Sequence, residues 1–249
     1  MSDVSSENSP TALQAEPEPQ RRPAAKTWGV LSGTMWAVVA FLGPQFLVGP
    51  LVPTISSLAV SQNTKLFLLQ GFVELITLGG LLLIIRSYGQ NLRSIGIGRF
   101  ELRHVGLALL FFPIYLALSM ILLGVSRLIF PDVNLDQRQE IGFTGVQGIE
   151  LALVFISLVV IPPIVEELVF RGFLFKAYGR RFGFILGSVL VSVLFGLAHG
   201  QLNVGIDVFA LSLCLCYLRI KTDSLWPSIL LHATKNFVAF FILFIIGVS

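Results

Sequence analysis

The sequence has few charged residues and almost no cysteine, and both shortages narrow the class of protein. Asp, Glu, Lys and Arg make up 12% of its 249 residues, whereas soluble domains contain about 25%. Together with 55% hydrophobic residues, this deficit indicates an integral membrane protein. A net charge of +3 is too small to suggest nucleic acid as a partner. Cys214 and Cys216 point to different faces of a helix, so we expect packing roles rather than a disulfide or metal site.

Long apolar runs set the expected fold. A transmembrane helix needs about 20 apolar residues, and the runs lack the alternation of roughly ten-residue segments that marks a membrane β-barrel. We therefore expect an all-α protein, a polytopic transmembrane bundle of about seven to eight helices with a site inside the bundle. The apolar segments are predicted at residues 28–49, 66–85, 105–129, 149–178, 184–199, 203–219 and 225–247.

The polar N-terminal residues and the charges of the loops predict the domain boundaries and the orientation of the protein in the membrane. Residues 1–27 are polar and show neither an apolar period nor a cleavable signal peptide, so we expect a disordered tail. A single transmembrane domain should follow over residues 28–247. Basic residues concentrate in the loops on the side of the tail, which predicts a cytoplasmic N-terminus. A partial extra helix at residues 50–62 would, if it crossed the membrane, invert the later segments.

Three charged residues lie close together inside the fourth apolar segment. Ionised groups at membrane depth are costly and mark functional sites. Glu167 and Arg171 are four residues apart and can pair on one helix face, whereas Glu166 points elsewhere. A purely structural ion network is the alternative. A carboxylate removed from water becomes more basic, so Glu166 suits a general base that acts on water.

The next segment ends with Phe195 and His199, which share one helix face. A structural histidine is the alternative interpretation. However, Glu166 lies about 21 Å along its helix from the loop near Gly183, and His199 lies about 25 Å beyond that loop. An antiparallel hairpin would therefore bring Glu166 and His199 to a similar depth.

His232 and Asn236 share a face of the last segment, with a structural hydrogen-bonded pair as the alternative. His232 is only about 14 Å along the helix from Asp223. A tilt or a re-entrant loop is therefore needed to bring it to the depth of Glu166.

These residues suit two kinds of hydrolytic chemistry. In the first, Glu166 deprotonates water with the help of His199, while His232 and Asn236 stabilise the oxyanion of an amide undergoing hydrolysis. In the second, Glu166, His199 and His232 bind a divalent metal such as zinc. The spacing does not decide between these schemes.

The three motifs resemble those of a known family. Glu166-Glu167-x-x-x-Arg171, Phe195-x-x-x-His199 and His232-x-x-x-Asn236 resemble the motifs of the CAAX protease and bacteriocin-processing (CPBP) family of intramembrane peptidases, which includes CAAX prenyl endopeptidases. The resemblance covers roughly residues 70–247. No family counterpart is identified for the polar tail or for the proline-rich first segment.

The resemblance implies a glutamate-dependent endopeptidase in a plasma membrane, with a bacterial host favoured. Its substrate would be a membrane-embedded or lipid-anchored protein or peptide. The resemblance assigns water activation to Glu166 and His199 and the oxyanion side to His232 and Asn236. Glu167 and Arg171 match the supporting pair. The use of a metal is disputed within the family.

Two other classes of function stay open from the sequence. A non-catalytic membrane immunity or scaffold protein could keep the same fold. A transporter could use Glu74, Glu166 and Asp207 as ion sites, although no internal repeat is visible. Lys235 departs from the family pattern, and we expect it either to extend to the membrane surface or to contact substrate.

Overall fold

The computed structural model describes residues 26–137, 139 and 141–247. Across these residues all regular secondary structure is helical and no strand is present. The expected all-α multi-pass membrane fold is confirmed by the long apolar helices. Most of the expected disordered tail, residues 1–25, lies outside the described residues.

The helices of the described residues are numbered in chain order. They are α1 (Val30–Val48), α2 (Val52–Ser56), α3 (Gln62–Ser87), α4 (Leu102–Ile129), α5 (Ile149–Phe155), α6 (Ile161–Glu167), α7 (Phe175–Ala198), α8 (Leu202–Thr222) and α9 (Trp226–Phe240). Wider π-helical turns continue α5 over Ile156–Val160, α6 over Leu168–Leu174 and α9 over Phe241–Ile246. Such turns are frequent at functional sites.

The number of spans is slightly lower than the sequence suggested. Within the described residues, six helical stretches are long and apolar enough to cross a membrane, against the expected seven to eight. The difference arises because the predicted segments 149–178 and 184–199 form one run, Ile149–Ala198. In addition, α2 continues the first span Val30–Ser56 and does not form an extra crossing.

The long run nevertheless folds back on itself at Gly183. This residue leaves helical geometry with φ 77° and ψ 168°, a region that glycine adopts readily because it has no Cβ. Gly179 and Gly187 then meet, since a Cβ on Gly187 would lie 3.0 Å from the Gly179 backbone nitrogen. Further from the turn, the Phe170 and Phe195 rings pack at 4.8 Å. This antiparallel packing is the hairpin expected from the sequence.

Glycines also allow α7 to approach α8 closely. A Cβ on Gly196 would lie 2.8 Å from the carbonyl oxygen of Gly205, and a Cβ on Gly205 would lie 3.0 Å from that of Gly196. The two backbones are therefore in direct contact three residues before His199. This contact fixes the end of α7 that carries His199.

Polar contacts tie several segments together at one end of the bundle. The indole of Trp28 donates to the carbonyl of Phe173 at 3.0 Å, and Arg180 donates to the carbonyl of Trp28 at 2.6 Å. Lys176 donates to the side chain of Gln90 at 2.6 Å. The start of α1, the loop after α3 and the start of α7 therefore meet at this basic end.

Candidate active site

The first motif lies where α6 continues into a π-helical turn. Pro162 and Pro163 occupy the first turn of α6, where a missing N–H costs little. Glu167 closes α6, and Arg171 follows within Leu168–Leu174. Arg171 Nη1 donates to Glu167 Oε1 at 2.8 Å, and both side chains are fully buried. The structure therefore contains the ion pair that the spacing of four residues indicates.

Phe195 packs against this ion pair and against both histidines. The Arg171 guanidinium lies 4.2 Å from the centre of the Phe195 ring, a cation–π distance. The same ring makes edge contacts with His199 at 4.9 Å and with His232 at 5.8 Å between centroids. Phe195 therefore connects α7 to the charged pair and holds both imidazoles in place.

Glu167 has a second partner that sequence reasoning missed. His232 Nδ1 donates to Glu167 Oε1 at 3.0 Å. A carboxylate that accepts from Nδ1–H fixes the ring orientation and tautomer of a histidine. Glu167 therefore positions His232 in addition to pairing with Arg171. The two residues are far apart in sequence, so no local spacing could indicate this contact.

The packing of the loop before α9 brings His232 to the level of the first motif. The backbone N–H of Leu225 donates to the carbonyl of Gly96 at 2.9 Å, and a Cβ on Gly172 would lie 3.2 Å from both Ile95 and Leu225. The start of α9 is thus level with Gly172, well inside the bundle. The position of α9 therefore brings His232 to the depth of Glu166, although His232 is close to Asp223 along the chain.

Glu166 is separate from the ion pair. Its Oε2 lies 3.9 Å from His232 Nε2, which is too long for a hydrogen bond. The Oε2 atom has no hydrogen-bond partner within the described part of the chain. The two adjacent glutamates therefore differ: Glu167 is fully buried in an ion pair, whereas the Glu166 side chain is 15% exposed and makes no hydrogen bond through Oε2 to any described residue.

A single cavity of about 260 Å³ brings the candidate catalytic residues together. Its walls include Glu166, His199, His232 and Asn236, and Lys235 lies beside them. The residues come from α6, the end of α7 and α9. The depth match expected between Glu166 and His199 is consistent with this common cavity.

His199 presents one ring nitrogen for proton transfer. Its Nδ1 is 2.8 Å from the carbonyl oxygen of Phe195. A carbonyl only accepts, so Nδ1 carries the proton and donates it. In the neutral ring, Nε2 therefore holds the lone pair and can accept a proton from water.

Asn236 is held by the π-helical turn opposite α9. Its Nδ2 donates to the carbonyl of Leu158 at 2.8 Å. An amide NH₂ has two hydrogens, so one remains for a ligand in the cavity. His232 differs, because its Nδ1–H already binds Glu167 and Nε2 of the neutral ring is an acceptor. Donation from His232 to an oxyanion therefore requires its protonated form.

The alternative metal set has no geometric support here. Across the described ranges, no three His, Cys, Asp or Glu side chains converge closely enough to hold a metal ion. Glu166, His199 and His232 line one cavity without forming a ligand set. Metal binding by these residues therefore stays a prediction.

Glu74 and Asp207, the other charged residues of interest within the spans, have different surroundings. Glu74 of α3 borders a small void beside the cavity, together with Gln70 and Ser157. Asp207 of α8 accepts hydrogen bonds from Tyr115 and Ser119. Neither acidic residue lines the cavity.

Comparisons with known proteins find similarity in the part of the chain that contains the candidate site. Residues 148–238 match the family model described as "Type II CAAX prenyl endopeptidase Rce1-like". A stretch of 91 residues is 29% identical to the "Putative membrane peptidase YdiL" of Bacillus subtilis (strain 168). This stretch covers 36% of the chain and 36% of that protein, so the chain matches about a third of its relative's length. No solved structure matches.

The matched segment is shorter than the resemblance inferred from the motifs, which extended over about residues 70–247. It nevertheless includes all three motifs, from Glu166 to Asn236. The resemblance of this multi-pass membrane protein to the CAAX protease and bacteriocin-processing family is thus confirmed, and it is carried by residues 148–238.

Proposed function

We propose that this protein is an intramembrane endopeptidase that hydrolyses a peptide bond with water activated by Glu166. The observation that carries the proposal is the common cavity, in which Glu166, His199, His232 and Asn236 meet from three separate helical elements. The match of residues 148–238 to a family of prenyl endopeptidases supports the same reaction class.

The first chemical step is attack by water on the scissile carbonyl. The carboxylate of Glu166 takes a proton from water, and Nε2 of His199 accepts the second hydrogen of that water in a hydrogen bond. The water oxygen forms a bond to the carbonyl carbon as the proton leaves. A tetrahedral intermediate with a negatively charged oxygen results.

Asn236 and His232 then stabilise this oxyanion. Asn236 contributes its remaining amide hydrogen, and protonated His232 contributes its Nε2–H. Donors that are already in position stabilise such a charge more effectively than bulk water does. When the carbon–nitrogen bond breaks, the proton held by Glu166 passes to the leaving amine, and the carboxylate is restored.

The buried pair of Glu167 and Arg171 has a supporting part in this scheme. Glu167 holds His232 through Nδ1 and stabilises its positive charge. Arg171 neutralises Glu167 and packs on Phe195. These contacts hold His232 and, through Phe195, His199 in a fixed geometry.

The proposed substrate is a membrane-embedded or lipid-anchored protein or peptide, because the cavity lies within an apolar bundle. The basic end, where Trp28 and Arg180 meet, would face the cytoplasm by the positive-inside rule. Gln139 and Ile141, from the loop at the opposite end, also line the cavity. Substrate would therefore approach from the end away from the cytoplasm.

A comparison of membrane proteomes tests the proposal. Cells that produce wild-type protein should contain a processed form of the substrate, and cells with Glu166→Ala or Glu166→Gln should accumulate its precursor. Immunoblotting of membranes controls for equal amounts of each variant. Unchanged processing in both variants at equal abundance would refute the proposal and favour a scaffold that only keeps the fold.

A further inference from the structure

Lys235 brings a positive charge into the cavity of the candidate active site. It lies in α9 immediately before Asn236 and lines the same cavity as Glu166 and His199. The positive charge therefore lies at the wall of the cavity that holds the candidate catalytic residues.

Asp207 of α8 holds this ammonium beside the cavity. Asp207 Oδ1 accepts hydrogen bonds from the Tyr115 hydroxyl at 2.8 Å and the Ser119 hydroxyl at 2.6 Å, both from α4. Its other oxygen, Oδ2, lies 3.8 Å from Lys235 Nζ. Two hydrogen bonds from a neighbouring helix thus fix the carboxylate that faces Lys235.

The contact between Lys235 and Asp207 leaves the ammonium without a hydrogen bond. A closed lysine–carboxylate pair has its atoms about 2.7–2.9 Å apart, so 3.8 Å is too long. Lysine has three N–H donors, and none of them reaches an acceptor within the part of the chain described here. The side chain is 20% exposed and lines the cavity, so its N–H donors are available to a ligand that enters there.

We propose that Lys235 binds a carboxylate of the substrate and thereby determines specificity, with Asp207 as its positioning residue. The inference rests on the proposed function, because the cavity is the proposed substrate site. A carboxylate is the natural partner, since it accepts short charge-assisted hydrogen bonds from an ammonium. Leu158, Phe240 and Leu243 give the cavity apolar walls, so the preferred ligand is an apolar peptide segment with one negative charge.

The carboxylate could belong to the C-terminus of the substrate or to an acidic side chain, and peptide probes distinguish these sources. Three acetylated apolar tetrapeptides would be compared: one with a free C-terminus, the same peptide as its C-terminal amide, and an amide with one aspartate. Binding to purified full-length protein in detergent micelles would be measured by thermophoresis. We expect one of the acidic peptides to bind about tenfold more tightly than the neutral amide.

Variants assign this preference to Lys235. Lys235→Met should bind acidic and neutral peptides equally, whereas Lys235→Arg should keep the preference. The double variant with Asp207→Asn avoids an unpaired carboxylate and should also lose the preference if Lys235→Met folds poorly. Lys65→Met removes an exposed lysine whose ammonium donates to the carbonyl of Ser56, and it should bind as the wild type does.

The possible outcomes separate this inference from the proposed function. Equal binding of all three peptides to the wild type, no binding of either acidic peptide, or an unchanged preference in Lys235→Met would each overturn it. The same measurements in Glu166→Gln should keep or increase the preference, since this change leaves the cation in place and removes a negative charge from the same cavity. Absence of the preference in the wild type, with cleavage intact, would count against the role of Lys235 alone, whereas cleavage by Glu166→Gln would count against the proposed chemistry alone.

Discussion

The adjacent residues Glu166 and Glu167 should differ in how strongly the same isosteric change lowers the stability of the protein. In Glu167→Gln, the carboxylate that accepts from Arg171 and His232 becomes a neutral amide. Removing one partner of a buried ion pair costs about 3–5 kcal/mol, because the other charge is left uncompensated. The amide oxygen still accepts one hydrogen bond, and Phe195 keeps its cation–π contact with Arg171, so we expect about 3 kcal/mol.

Glu166→Gln should affect stability much less. The side chain makes no hydrogen bond through Oε2 within the described residues, and this oxygen lies 3.9 Å from Nε2 of His232. Replacing one oxygen by NH₂ at the edge of a cavity removes little packing. We therefore expect a change of less than about 1 kcal/mol, with loss of proteolytic activity.

The two cysteines offer a suitable assay for this contrast. Cys214 and Cys216 are free and buried, so a thiol-reactive fluorophore labels them only when the bundle opens on heating. A loss of 3 kcal/mol corresponds to a fall in midpoint temperature of roughly 6–12 °C for a chain of this size. Equal shifts in the two variants, or a larger shift in Glu166→Gln, would refute the division of roles between the two glutamates.

Further substitutions test the remaining parts of the site and the fold. His199→Ala should reduce the cleavage rate by about 10²–10⁴-fold, the usual contribution of a general acid–base group, with the melting temperature nearly unchanged. Asn236→Ala should reduce kcat by about 10²–10³-fold through loss of an oxyanion donor, measured at saturating substrate. Gly196→Ala should destabilise the protein by about 1–3 kcal/mol, because its Cβ would meet the Gly205 carbonyl at 2.8 Å. Gly79→Ala, where a Cβ has open space, should melt as the wild type does.

Much of the fold was predictable because the membrane imposes strong rules on the sequence. Spans of apolar residues identify the helices, and a spacing of four places Glu167 beside Arg171 on one face. The depth match of Glu166 and His199 follows from the distance of each residue from the turn at Gly183. Each of these inferences needs only helix geometry and a position along the chain.

The remaining features depend on how the helices pack, which periodicity does not specify. The bond between Glu167 and His232 joins residues 65 positions apart, and the position of the start of α9 depends on the contact of Leu225 with Gly96. The contacts of Asp207 likewise require α4 and α8 to be neighbours. The number of helical stretches is slightly lower than expected because the two segments that meet at the Gly183 turn are joined in one run, Ile149–Ala198.

The central claim is that the Glu166 carboxylate activates the water that cleaves the substrate. The most direct test is to incubate purified protein with the precursor that accumulates in Glu166→Gln cells, in water labelled with heavy oxygen, and to analyse the products by mass spectrometry. The wild type should release a fragment with one labelled oxygen in its new C-terminal carboxyl group, and Glu166→Gln should release none. Formation of the same labelled fragment by Glu166→Gln at the wild-type rate would contradict the claim.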